Sequence, residues 1–270
     1  MSTSVRNNVL RMAAKTVFAA ADVFYGAFPG PRILIYHQVG VMLGREMEVA
    51  LETFRSHLDI IGKFGKVVDL ETAVARRGDP EADHLVVLTF DDGYEDVYRN
   101  AFPLLKERGW PFTLYLTTAP IANGEVLDPR YPDARPFTWD QINEMAETGL
   151  AIIGAHTHSH PDLRTLPSDR LAEELDGSNR LIEQATGAPP RHFTYPWGYW
   201  APEADRLVRK RYATATVGGG RPVRADTDPY LLPRIPVQRS DGLRFFERKL
   251  RTGLRMEDRV RGRVRGYTGP

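Results

Sequence analysis

The chain has 270 residues, 42% hydrophobic and 26% charged, which is enough apolar matter for one large α/β domain with its own core. Its 36 lysines and arginines nearly balance 35 aspartates and glutamates, so a net charge of +1 argues for no nucleic-acid partner. The absence of cysteine excludes disulfides, thiolate metal sites and a thiol nucleophile, and no apolar run approaches the ~20 residues that a membrane-spanning helix needs.

Residues 1–30 carry Val9, Leu10, Ala13, Val17, Ala21, Phe24, Tyr25 and Phe28 at roughly helical spacing, with Arg6, Arg11 and Lys15 between them. Ala19-Ala20-Ala21 before Asp22 has the look of a signal-peptidase site, but Lys15 interrupts the apolar stretch that would precede it. The pattern predicts an amphipathic helix, packed on the domain or lying on a membrane surface. A catalytic domain is expected over 31–250. Arg32–His37 reads as its first core strand, Leu51–Phe64 as a helix with Phe54, Leu58, Ile61 and Phe64 on one face, Val67–Leu70 as a strand and Glu71–Arg77 as a short helix.

Leu85-Val86-Val87-Leu88 predicts a strand buried on both faces that ends in Asp91-Asp92-Gly93. Tyr94–Arg108 is helical in pattern and stops at Gly109, and Phe112–Leu116 is the next strand. Residues 118–136 hold Pro120, Pro129, Pro132 and Pro136 with little periodicity, the signature of a binding or lid loop. Thr138 is a candidate N-cap for a helix to Thr148. Strands at Ile152–Ala155, His192–Tyr195, Ala213–Val217 and Leu232–Val237 alternate with helices at Ser168–Thr186, Pro202–Arg211 and Asp241–Leu250. Seven or eight strands in such alternation predict a parallel sheet closed as a (β/α) barrel, and no glycine-rich phosphate fingerprint follows the first strand to favour an open sheet. Residues 251–270 form a basic tail, six arginines against Glu257 and Asp258.

The polar residues of interest stand at strand ends: His37, Asp91-Asp92, His156 and the Tyr195-Pro196 segment. In a parallel barrel those ends share one face. His156 and His160 are four apart, which in a helical turn or tight loop sets two imidazoles on one side, with His158 pointing elsewhere. One carboxylate of the 91–92 pair completes two histidines and one aspartate, three protein ligands that leave room for water at a catalytic metal.

Thr89-Phe90-Asp91-Asp92-Gly93, His156-Thr157-His158-Ser159-His160 and Arg191-His192-Phe193-Thr194-Tyr195-Pro196-Trp197-Gly198 resemble, in order, the first three motifs of the polysaccharide deacetylases, carbohydrate esterase family four. The resemblance runs from about Arg32 to Val237. It implies a distorted (β/α)7 barrel that removes N-acetyl groups from glycans with a divalent metal, zinc foremost, with cobalt, nickel or manganese as alternatives. It implies Asp92, His156 and His160 as metal ligands, Asp91 as general base, the backbone N–H of Tyr195 as an oxyanion donor, and Arg191 as the group that orients the base. The family's usual last two motifs are missing, since no histidine follows His192. Ile35-Tyr36-His37 resembles instead the N-terminal element of a circularly permuted branch that includes the poly-N-acetylglucosamine deacetylases, making His37 the candidate general acid. Leu232-Pro233-Arg234-Ile235 stands where a fourth motif is expected, and no role is assigned to Arg234.

The expected partner is an N-acylated glycan, with peripheral membrane contact through residues 1–30 and the basic tail. The expected location is the cytoplasm or the cytoplasmic face of the membrane, with an exported form as alternative. Competing functions are hydrolysis of another carbon–nitrogen bond, such as an N-formyl group on a lipid-linked sugar, and a glycan-binding protein without catalysis. Trp139, Trp197, Tyr199 and Trp200 are candidates for stacking on sugar rings.

Overall fold

The structure is a computed structural model that describes residues 29–252. The amphipathic helix expected over 1–30 and the basic tail expected over 251–270 lie, but for their inner two residues, outside the described residues.

Strand β1 (Arg32–Tyr36) is followed by the short pair β2 (Gln38–Val39) and β3 (Glu48–Val49). Helix α1 (Leu51–Phe64) buries Phe54, His57, Leu58 and Ile61, a three-and-four spacing that lays one face on the sheet. Strand β4 (Lys66–Val67) is shorter than its apolar run suggests because Asp69 turns out as the N-cap of α2 (Leu70–Ala75), accepting from the Thr72 N–H at 2.7 Å. All eight residues of β5 (Leu85–Asp92) are buried.

After β5 the helix expected from Tyr94 begins at Glu95 and passes through a π-helical turn at Val97–Ala101 before α3 (Phe102–Arg108). Gly109, at φ 63°, ends it. Strand β6 (Phe112–Leu116) leads into α4 (Thr118–Asn123), where a lid loop was expected throughout; Pro120 sits in the first turn, which tolerates proline. The Thr138 cap is present as a reciprocal capping box with Gln141 and starts α5 (Trp139–Glu147). Then follow β7 (Ala151–Ala155), α6 (Ser168–Thr186), β8 (His192–Thr194), α7 (Pro202–Arg211), β9 (Thr214–Gly218), β10 (Leu232–Pro236) and α8 (Gly242–Thr252).

Seven parallel strands form a nearly closed ring in the order β1-β5-β6-β7-β8-β9-β10, with β10 returning to β1. The ring is thinnest at β7–β8, joined by the single pair Ala155↔Phe193. An eighth strand, β4, pairs with the start of β5. The expected distorted (β/α)7 barrel is therefore the observed fold. Alternation along the strands sorts its interior into layers. Ile33, Val87 and Leu232 lie at the N-terminal end, where α2 packs Leu70 and Ala73 against them. One step on come Thr89 and Arg234, and one step further Asp91.

Candidate active site

The period of two that builds β5 also separates its two terminal acids. Asp91 continues the inward series of Val87 and Thr89, whereas Asp92 leaves the series at φ 74°. Thr157 (φ 69°), His160 (φ 61°) and Trp197 (φ 62°) are the other non-glycine residues with positive φ among those described. Each such residue costs on the order of 1–3 kcal/mol, and all four stand around one centre, Asp92 at the end of β5 and the others past strand ends, where the surrounding packing holds the strain.

That centre is Asp92. Its Oδ1 lies 3.5 Å from Nε2 of His156 and 3.5 Å from Nε2 of His160, and it is buried with no hydrogen-bond partner. One donor atom from each of the three residues falls within 4.8 Å of the others. The His156 Nδ1–H donates to the Thr194 carbonyl at 2.8 Å, which fixes the tautomer that turns the Nε2 lone pair toward Asp92. Burial pushes the His160 imidazole down to about 4, so at neutral pH it too offers a lone pair. Burial opposes the Asp92 charge, yet the neighbouring imidazoles hold its carboxyl well below the usual range. Two imidazole nitrogens and a carboxylate oxygen converging on one point fit a divalent cation, and that donor set suits zinc and its neighbours.

The loop that delivers the histidines is riveted from behind. Glu174 of α6 is buried and accepts from the N–H of His158 (3.0 Å), the N–H of Ser159 (2.8 Å) and the Ser159 hydroxyl (2.6 Å). His158 points away, its Nδ1 3.1 Å from the Thr118 hydroxyl, as its position between the two ligands requires. His37 follows β1, with Nε2 4.0 Å from Asp92 Oδ2; burial lowers its pKa more than Asp92 and Asp91 raise it.

Asp91 sits beside this cluster in a different environment. Arg234 grips it with both arms, Nη1 to Oδ1 and Nη2 to Oδ2, each at 2.7 Å, and both groups are buried. The same guanidinium donates to the hydroxyls of Thr89 (3.0 Å) and Thr194 (2.7 Å). Those hydroxyls donate onward to the Leu34 and Thr216 carbonyls. Burial works against ionisation of Asp91, and Arg234 overcomes it, keeping the carboxyl below its usual range.

Two of the expected residues are not where their roles need them. Arg191 does not orient Asp91: its side chain is 70% exposed and its Nε donates to Glu71 at 2.8 Å. The reason is positional, because Arg191 precedes β8 and so lies at the N-terminal end of the barrel, away from the acids. Arg234 occupies the place beside Asp91. The Tyr195 N–H is also not free to meet an oxyanion, since it extends the β8–β9 ladder to the Thr216 carbonyl at 3.1 Å. Next along, Trp197 is 62% exposed, with its ring 5.0 Å from that of His160. Of the other aromatics, Trp139 and Trp200 pack on the core, and Tyr199 lies under the Arg164 guanidinium at 3.9 Å.

Arg234 and Glu174 escaped the sequence reading, but only Arg234 left a signal there. An arginine inside an otherwise apolar barrel strand has to meet an acid or a set of acceptors. Glu174 looks like any polar helix residue until the loop above it is in place.

Residues 78–215 match the family described as Polysaccharide deacetylase. The chain is 26% identical to YxkH of Bacillus subtilis (strain 168) over 209 residues, 76% of this chain and 70% of that protein. It is 28% identical to the poly-beta-1,6-N-acetyl-D-glucosamine N-deacetylase of Staphylococcus epidermidis over 166 residues, which is 56% of this chain and about half, 54%, of that enzyme. The fold superposes on the structure of IcaB from Ammonifex degensii with a TM-score of 0.69 at 27% identity, covering 83% of this chain and 98% of that one.

Proposed function

The chain belongs to the polysaccharide deacetylase family, and on that footing we propose that it removes N-acetyl groups from the amino sugars of a glycan, using a divalent metal, zinc foremost, held by Asp92, His156 and His160. The observation that carries this reading is the buried, unpartnered Oδ1 of Asp92 with two imidazole nitrogens at 3.5 Å. The metal would supply Lewis-acid activation of a water and of the amide carbonyl.

The chain's own groups divide the proton work. Asp91 stays ionised under Arg234, and each oxygen keeps a lone pair to receive the proton of the attacking water. His37, next after β1, faces Asp92 with Nε2 4.0 Å from Oδ2 and is the candidate donor to the departing amine. With the Tyr195 N–H committed to the ladder, the Pro196–Gly198 turn that carries Trp197 is the candidate source of the oxyanion donor.

The name of the S. epidermidis relative makes poly-β-1,6-N-acetyl-D-glucosamine the first substrate to try. Protein stripped of metal and reloaded with zinc is expected to release acetate from oligomers of that polymer or of chitin, while the stripped protein releases none. A formylated lipid-linked sugar belongs in the same panel. Oligomer binding without release of any acyl group from any member would contradict the proposal and favour a glycan-binding protein.

A further inference from the structure

Between β2 and β3 the chain makes a loop, residues 40–47, that carries none of the groups assigned above. It is fixed from within. Gln38 and Val39 pair with Glu48 and Val49, and the buried Glu48 carboxylate accepts from the N–H groups of Leu43 (3.0 Å) and Gly44 (2.9 Å). Gly44, at φ 92°, makes the turn.

What the loop presents is Arg45. Its guanidinium lies over the rings of Tyr94 (5.4 Å to the centroid) and Tyr131 (5.0 Å). Through Nη1 it donates to the Tyr94 hydroxyl (2.9 Å) and to Gln38 Oε1 (3.1 Å). Tyr94 follows Asp92 by two residues, and the Asp92 charge acts on both Tyr94 and Arg45, so the guanidinium stands close to the candidate metal ligands.

Two of the acids that feel the Arg45 charge, Asp128 and Asp96, are tied elsewhere. Asp128 is gripped by Arg130 at 2.7 Å. Asp96 accepts from Gln38 Nε2 and from the Val39 N–H, each at 3.2 Å. Glu48 gives Oε2 to backbone N–H groups, while its Oε1 hydrogen-bonds to none of the described residues, Arg45 included. Arg45 forms no ion pair with a carboxylate among the described residues. Its position is set by two aromatic faces and two hydrogen bonds through one nitrogen, with Nε and Nη2 left over. A half-buried guanidinium held this way is preorganised for bidentate capture of an oxyanion, whereas a neutral sugar would leave it unpaired.

We propose that Arg45 is a specificity-determining residue that receives a carboxylate or phosphate group carried by the glycan close to the acylated amine. The inference rests on the deacetylase reading for where the substrate lies. The main competing role is mechanical, with Arg45 only tying the Tyr131 loop to Tyr94.

Binding separates the two without requiring turnover. Calorimetric titrations would use chitotetraose, a peptidoglycan-type tetrasaccharide whose alternate sugars carry a lactyl carboxylate, and 6-phosphorylated chitotetraose. At low salt the wild-type protein is expected to bind an acidic oligomer at least about tenfold more tightly than the neutral one, with the preference fading as salt rises. The larger gain of the two acids identifies the group. Arg45→Gln should abolish the preference, and Arg45→Lys should retain part of it. Equal affinity of wild type for neutral and acidic oligomers would overturn the proposal, as would a preference that survives in Arg45→Gln. Should Arg45→Gln not fold, Arg45→Lys decides, a preference undiminished from wild type overturning the proposal. A salt-sensitive acid preference with no acyl release would fail the deacetylase reading and leave the anion site standing.

Discussion

Two arginines are almost wholly buried in this barrel, and they do opposite things. Arg32, at the start of β1, sends its donors to main-chain carbonyls, those of Gly30 (2.7 Å), Asp83, Leu250 (2.7 Å) and Arg251 (3.2 Å). It thereby satisfies the last turn of α8 and ties that helix to the N-terminal end of the sheet. Burial brings its guanidinium down to about 10, which still leaves it charged at neutral pH. Arg234, inside β10, spends its donors on a carboxylate and two hydroxyls at the other end of the barrel. A buried guanidinium therefore does not mark a site of chemistry; the acceptors it was buried to meet decide between scaffold and reaction.

Removing each arginine sharpens the contrast. Arg234→Leu strands the Asp91 charge. It is expected to lower kcat by about 10²–10⁴ in an acetate-release assay and stability by about 3–5 kcal/mol in denaturant titrations. Arg32→Leu takes its donor from two carbonyls of the α8 end and from those of Gly30 and Asp83, at about 1–3 kcal/mol for each group left unpaired that water cannot reach. Its turnover per folded molecule should stay within about twofold of wild type. If Arg32→Leu reduced turnover as far as Arg234→Leu, the division of labour would fail.

The seam between α1 and α8 offers a finer separation. His57 stacks on Phe246 with ring centroids 3.7 Å apart, meets the Tyr36 hydroxyl at 3.2 Å, and is pushed by burial from 6.5 down to about 4. Between those two values the unfolded chain takes up a proton that the folded chain resists. The His57 contribution to stability is thus complete above pH 6.5 and is lost as pH falls toward 4, roughly 3 kcal/mol in all. His57→Phe should flatten the fall in Tm between pH 7 and 4.5, and an unchanged slope would remove His57 from the acid response. The smallest effect belongs to Arg191→Ala. An exposed pair with Glu71 is worth under about 1 kcal/mol, and activity should not change. A hundredfold loss of kcat would restore the role first read from its motif.

The barrel and the Asp92-His156-His160 cluster were legible because each rests on short local patterns that topology brings together. Alternating apolar strands and helices imply the closure, and acids and histidines at the C-terminal ends of strands share a face by topology. Arg191 misled for a reason the same rule contains, since it precedes its strand and so belongs to the opposite face. Arg234 was hard to read because its partner Asp91 lies 143 residues away, and only closure of the ring brings β10 to β5 through β1. The Tyr195 donor failed on a matter of register. Its N–H continues the ladder one residue past the strand, which sequence cannot foresee at a turn.

The central claim is that two adjacent acids have unequal work, Asp92 to bind metal and Asp91, held by Arg234, to take the proton. Asp91→Asn, purified and loaded with zinc, tests it in a single assay of metal content and acetate release. The account predicts one bound metal per chain, as in wild type, with kcat lower by about 10²–10⁴. Turnover close to wild type would contradict it, as would loss of the metal along with the activity.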